Sequence, residues 1–348
     1  MNYLIKIKIN PNRVNQSYRH LSKYVIKSKY EMPWNSPDKK ELSMSLPEFL
    51  LNNGPLNDKV AIIDGSSPEK KLSYNQLYQT TYSFAISLNK LGVKENDIVG
   101  ILSPNNINYF TVFHGIGLSG AASTPINPTY TEEEILYQLT STNAKALIFH
   151  PMCSAKAIPI INKLNIIGIA LVKDNSLSEL SISNKMHLHF VDDLINEKIN
   201  LNSLKKIDSN SLMTIPFSSG TTGKPKGVML THKNLISNVL QTMPLEGKYL
   251  VPDANQPDGG ITLVPLPFFH IYGMMVGLMV PIYARGKTIF MPSFDLKVYL
   301  KTIETFKVAR SAIVPPIILE LAKNPIVISA DLLYFILLLI LKKNSVNT

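Results

Sequence analysis

From Lys59 onward the sequence alternates short apolar runs with amphipathic stretches, and that alternation admits few architectures. The runs "VAII" (60–63), "IVGIL" (98–102), "ALIF" (146–149) and "IIGIALV" (166–172) read as strands. Ser73 and Gln76 form a capping-box pair, and behind them Leu77, Thr81, Phe84, Leu88 and Leu91 keep the spacing of one helix face until Gly92. A helix through "YFTVFHGIGL", the run "AASTPI" and a second capping box, Thr131 with Glu134, extend the pattern. The polar stretch 173–210 reads as a lobe boundary, after which the alternation restarts. Strands are expected at 212–217, 228–230, 261–266, 287–291 and 311–314, and helices from Thr231 and over 270–284, 295–306 and 316–323. The expected fold is α/β: two βαβ-type lobes, 31–210 and 211–325, with mostly parallel sheets flanked by helices.

Composition narrows the function. The 348 residues carry a net charge of +10, which suggests nucleic acid until its distribution is read. Lys6, Lys8, Arg13, Arg19, Lys23, Lys27 and Lys29 lie in an acid-free extension, 1–30, leaving 28 basic against 25 acidic residues elsewhere. The folded body therefore lacks the basic excess of a nucleic-acid binder. Within the extension, Val14, Tyr18, Leu21 and Val25 fall at helical spacing, so it resembles a mitochondrial transit peptide, with a disordered basic tail on a cytoplasmic protein as the alternative. The one cysteine, Cys153, excludes an internal disulfide and reads as a structural thiol. The divergent tail 326–348 begins with an apolar run, 326–341, that is short for a membrane span and contains Asp331. A buried helix or an aberrant terminus is expected there, with a membrane anchor as the alternative.

The least ordinary stretch is "PFSSGTTGKPKGVML", 216–230. Glycines at 220, 223 and 227 let backbone N–H groups turn inward and form an anion-binding concavity. Ser218, Ser219, Thr221 and Thr222 add hydroxyl donors, and Lys224 and Lys226 add charge. The set suits a polyphosphate. It is not a Walker P-loop, which would need glycine where Ser218 stands and a hydroxyl residue in place of Pro225.

This loop, with "LSYNQL", "INPTYTEEEI", "PLPFFHIYGM" and "VPPIILELAKNP", resembles the acyl-adenylate-forming enzymes, and within them the 4-coumarate–CoA ligase group, from about Glu31 to Pro325. The resemblance implies an ATP-dependent carboxylate–CoA ligase that makes acyl-AMP and pyrophosphate and then acyl-CoA and AMP. It implies ATP, Mg²⁺ and CoA as cofactors and a small carboxylic acid as substrate. Ser218, Ser219, Gly220, Thr221, Thr222, Gly223 and Lys226 would hold the ATP phosphates. His270 and Tyr272 would line the acyl pocket with Val276, which stands where those ligases usually carry a hydroxyl residue. Ser293 stands where they often carry a basic residue for CoA, so phenylpropanoid and aliphatic acids both stay open.

After Pro325 the family's later motifs and its small C-terminal domain are not found. The expectation is an incomplete representative of the family's N-terminal domain, impaired in turnover. The alternatives are a non-catalytic nucleotide-binding fragment and a membrane-tethered product.

Overall fold

A computed structural model describes residues 41–174, 177, 188–218, 224–252 and 259–329. The basic extension, the loop residues 219–223 and the tail from 330 onward lie outside the described residues.

In chain order, α1 (Leu46–Leu51) precedes the hairpin β1 (Val60–Asp64) and β2 (Lys71–Ser73), then α2 (Tyr74–Lys90), β3 (Ile98–Leu102), α3 (Tyr109–Leu118) and β4 (Ala122–Ile126). α4 (Glu132–Ser141), β5 (Ala144–Phe149), α5 (Ser154–Leu164), β6 (Ile167–Ala170), β7 (His189–Phe190) and α6 (Val191–Leu194) follow. Next come β8 (Leu212–Thr214), β9 (Phe217–Ser218), β10 (Lys226–Gly227), β11 (Leu230–Thr231), α7 (His232–Glu246) and β12 (Ile261–Val264). The last elements are α8 (Ile271–Met274), α9 (Val280–Tyr283), β13 (Lys287–Phe290), α10 (Leu296–Phe306), β14 (Arg310–Ser311), α11 (Pro315–Lys323) and α12 (Pro325–Ser329).

Two larger sheets form, in the orders β11-β8-β4-β3-β5-β6-β7 and β14-β12-β13-β1-β2. All neighbours run parallel except β11 with β8 and β1 with β2. Each sheet takes strands from both sides of residue 210: β1 pairs with β13 in one, and β4 with β8 in the other. The polar stretch therefore does not divide one sheet from the other.

Alternation along the strands explains the layering. Val99, Ile101, Ala146 and Ile148 of one sheet and Ile62, Val264 and Phe290 of the other share a central core with Leu77, Phe84, Phe110 and Phe113. The opposite face of the first sheet, through Leu102, Leu147 and Phe149, packs on Ile135 and Leu139 of α4 and Ile158 and Ile161 of α5. The opposite face of the second, through Ile63, Leu263 and Ile289, packs on Tyr299 and Ile303 of α10 and Val327 of α12.

Both capping boxes form as expected, and Gly92 ends α2's turn at φ +95°. Thr81, the polar member of the α2 stripe, is fully buried. Four expectations need correction. The strand over 212–217 breaks after Thr214 because Pro216 has no N–H to give a ladder, and β9 pairs with β10 instead. The strand at 228–230 is displaced to Leu230–Thr231. The strand over 311–314 shortens to Arg310–Ser311. The helix over 270–284 is interrupted by a π turn at Met275–Met279, where the Val280 N–H reaches the Met275 carbonyl. Pro281 is the cause, since it cannot donate to the Gly277 carbonyl one turn back. The next carbonyl, of Leu278, accepts from His114 Nε2 at 3.0 Å.

Candidate active site

The Gly/Ser/Thr loop is mounted on a hairpin at the end of β8. Ser123 Oγ of β4 donates to Thr214 Oγ1 at 2.9 Å, the Ile215 N–H donates to the Ser123 carbonyl at 2.8 Å, and Thr124 Oγ1 donates to the Ile215 carbonyl at 2.9 Å. These groups are buried, so the chain leaves the sheet from a fixed point. β9 and β10 then pair with Ser218 opposite Lys226 and Phe217 opposite Gly227. Lys226 and Ser218, both exposed, stand on the paired strands at the foot of the loop. Ser219, Gly220, Thr221, Thr222 and Gly223 lie outside the described residues. Gly227 is there for a steric reason: a Cβ at that position would stand 2.8 Å from Ile215 Cγ2 and 3.0 Å from Phe217 Cε2.

His270 is the N-cap of α8, and its Nδ1 accepts from the Tyr272 N–H at 3.4 Å. Its ring is exposed and Tyr272 is 42% exposed, so neither is a core residue of an apolar helix. Val276, in the π turn, is buried in the central core. Among the described residues no hydrogen bond or ring contact joins His270 or Tyr272 to Ser218 or Lys226.

The two regions are nevertheless brought to the same end of the molecule by a residue that sequence reasoning missed. Asn105, in the loop after β3, is buried. Its Nδ2 donates to the carbonyls of Leu266 and Met291, each at 2.9 Å, and its Oδ1 accepts from the Phe268 N–H at 2.7 Å. One amide thus ties the carboxyl end of a strand in the seven-stranded sheet to the carboxyl ends of β12 and β13 in the other. In open parallel sheets the crevice outside these strand ends is where ligands bind. The only signal in the sequence was the turn composition of "SPNN".

Residues 52–333 match the AMP-binding enzyme family. The chain belongs to that family. Over 281 residues the chain is 33% identical to 4-coumarate–CoA ligase 2 of Petroselinum crispum, covering 81% of this chain and 49% of that protein. The protein named "Probable 4-coumarate--CoA ligase 1" in Dictyostelium discoideum is 34% identical over 283 residues, 79% of this chain and 50% of its own length. The chain spans about half the length of these relatives. The fold is similar to a natural red-emitting luciferase from Phrixothrix hirtus, with TM-score 0.68 at 24% identity over 84% of this chain and 54% of that one. It is similar also to ATP-bound MatB from Rhodopseudomonas palustris, with TM-score 0.61 at 22% identity over 75% and 48% of the two chains. The family and the mostly parallel α/β architecture are thus as the sequence implied.

Among the described residues no helix is long and apolar enough to cross a membrane, and no group of three or more His, Cys, Asp or Glu could hold a metal. The donors at the hairpin are hydroxyls and ammonium groups. That chemistry fits an anion rather than a bare cation.

Proposed function

We propose that the chain is the phosphate-gripping part of a carboxylate–CoA ligase that binds ATP and is impaired in turnover by itself. The observation that carries this reading is the placement of Lys226 opposite Ser218 on a hairpin fixed to buried β4 hydroxyls, in a member of the AMP-binding family. Adenylation of a carboxylate needs neutralised phosphate charge and in-line positioning more than a strong base, because the carboxylate is already nucleophilic. Ser218, Ser219, Gly220, Thr221, Thr222, Gly223 and Lys226 supply that grip in this reading. Mg²⁺ accompanying the nucleotide would neutralise part of the phosphate charge. His270 and Tyr272 form the acyl-side wall, with Val276 shaping it from behind.

The stretch shared with this chain is about half of each relative named as a ligase. The test is calorimetry of the full chain with ATP and with pyrophosphate, joined to pyrophosphate release over a panel of carboxylic acids with CoA. The expected result is binding that Lys226→Met weakens, with release below detection. A folded chain that binds neither ligand overturns the nucleotide reading. Release at the rate of a complete ligase overturns the impairment.

A further inference from the structure

The hairpin touches one aromatic side chain with both of its arms. Tyr137 lies on α4, a helix started by the Thr131–Glu134 capping box and tied down at the next residue. Gln138 is buried and its Nε2 donates to Thr124 Oγ1 at 2.7 Å and to the Pro125 carbonyl at 2.9 Å. Thr124 in turn donates to the Ile215 carbonyl, at the root of the hairpin. α4 and the hairpin are thus referenced to the same strand, and Tyr137 reaches from one to the other.

On the outgoing arm, the Tyr137 ring meets the Phe217 ring edge-to-face, with centroids 6.5 Å apart and planes at 88°. On the returning arm, the Tyr137 hydroxyl donates to the Pro225 carbonyl at 3.4 Å, and Lys224 Nζ sits 5.0 Å from the Tyr137 centroid. An ammonium over an aromatic face is attracted by the ring quadrupole. The two lysines of the loop therefore differ in employment: Lys224 is engaged by a ring, while Lys226 faces Ser218 across the strand pair.

We propose that Tyr137 is a positioning residue for the phosphate-binding hairpin, clamping both arms and holding the Lys224 ammonium on its ring so that Lys226 is the cation offered to phosphate. This rests on the nucleotide reading above. The clamp acts through the hairpin's arms and not on the ligand, so its removal loosens those arms without removing a donor.

The experiment measures pyrophosphate binding to the full chain by calorimetry for the native protein, Tyr137→Leu, Tyr137→Phe, Lys224→Met and Lys226→Met. NMR of the Lys224 side-chain methylenes is recorded alongside. Tyr137→Leu should weaken binding roughly tenfold and abolish the ring-current shift of Lys224, while Tyr137→Phe keeps that shift and loses roughly threefold or less. Lys226→Met should weaken binding more than Lys224→Met does. A merely structural tyrosine would alter the unfolding midpoint without separating the two lysines. Native-like binding by folded Tyr137→Leu overturns the clamp while leaving the nucleotide reading intact. If Tyr137→Leu does not fold, the lysine pair decides: a larger loss in Lys224→Met than in Lys226→Met overturns the proposal. Failure of the folded native chain to bind pyrophosphate overturns the clamp together with the reading beneath it.

Discussion

The Thr288 hydroxyl donates to the Gly277 carbonyl at 3.1 Å, supplying the partner that Pro281 cannot. Both residues are buried, so this single bond caps a helix defect from a neighbouring strand. Thr288→Val preserves shape and leaves the carbonyl orphaned, which costs about 1–3 kcal/mol. Thr288→Ser keeps the donor and should recover most of that loss. Urea unfolding midpoints of the two variants separate a hydrogen-bond effect from a packing effect.

Asn105 makes three hydrogen bonds across the gap between sheets. Asn105→Asp keeps the acceptor for Phe268 and turns two donors into acceptors facing carbonyls. A loss of about 3 kcal/mol or more is expected, because a buried charge faces unpaired dipoles. The same substitution should raise hydrogen exchange in the segment 265–274, which carries His270. Unchanged protection there would show that the amide does not hold the segment.

Gly227→Ala places a methyl 2.8 Å from Ile215 Cγ2, closer than real Cβ atoms come, and 3.0 Å from Phe217 Cε2, a tight contact. The Ile215 side chain must shift and the Phe217 ring must give by a few tenths of an ångström, which strains the hairpin. Overpacking of this kind costs about 1–3 kcal/mol. Pyrophosphate affinity should fall more steeply than global stability, since the strain is local to the loop's foot. Calorimetry paired with thermal unfolding reads both.

Acid should destabilise the chain through two buried histidines. Burial is the main cause in each case, holding His114 at about 3, with the neighbouring His232 adding to the depression, and His232 at about 4 despite the opposing pull of Asp208. Both values lie below the unfolded value of 6.5, so the unfolded chain binds more protons. The stabilisation is complete above pH 6.5 and is lost as pH falls through the window towards 4 and 3. Between pH 7 and 5 each histidine should contribute a loss of no more than about 2 kcal/mol. His114→Gln retains a donor for the Leu278 carbonyl and removes one titration. Its stability should therefore fall less between pH 7 and pH 5 than the native chain's, measured by urea unfolding at the two values.

Local chemistry was legible wherever a residue's role depends on its near neighbours. The Ser73 and Thr131 capping boxes, the stripe of α2 and strands β1, β3 and β5 all depend on spacings of a few residues. The break at Pro216 was also written in the sequence, but a proline at the end of an apolar run reads as strand until its partner is known. β2 and β7 are too short, at three and two residues, to leave a periodic trace. The interleaving of the sheets was hidden because Ile62 finds Thr288 only in the folded chain. Lys226 was singled out by its motif, while its place opposite Ser218 needed the fold. Tyr137 was not, because its partners Phe217 and Lys224 come from a distant part of the chain and nothing in "ILYQL" marks the tyrosine as different.

The pairing of β1 with β13 has a consequence for biosynthesis. Ile62 leaves the ribosome 226 residues before Thr288, the register partner it requires (288 less 62). At roughly 5–20 residues per second, β1 waits on the order of 10–45 s with its β13-facing edge open. During that interval the nascent chain offers an unpaired strand to any neighbour, so its yield in a cell should depend on how well chaperones shield β1 until β13 emerges.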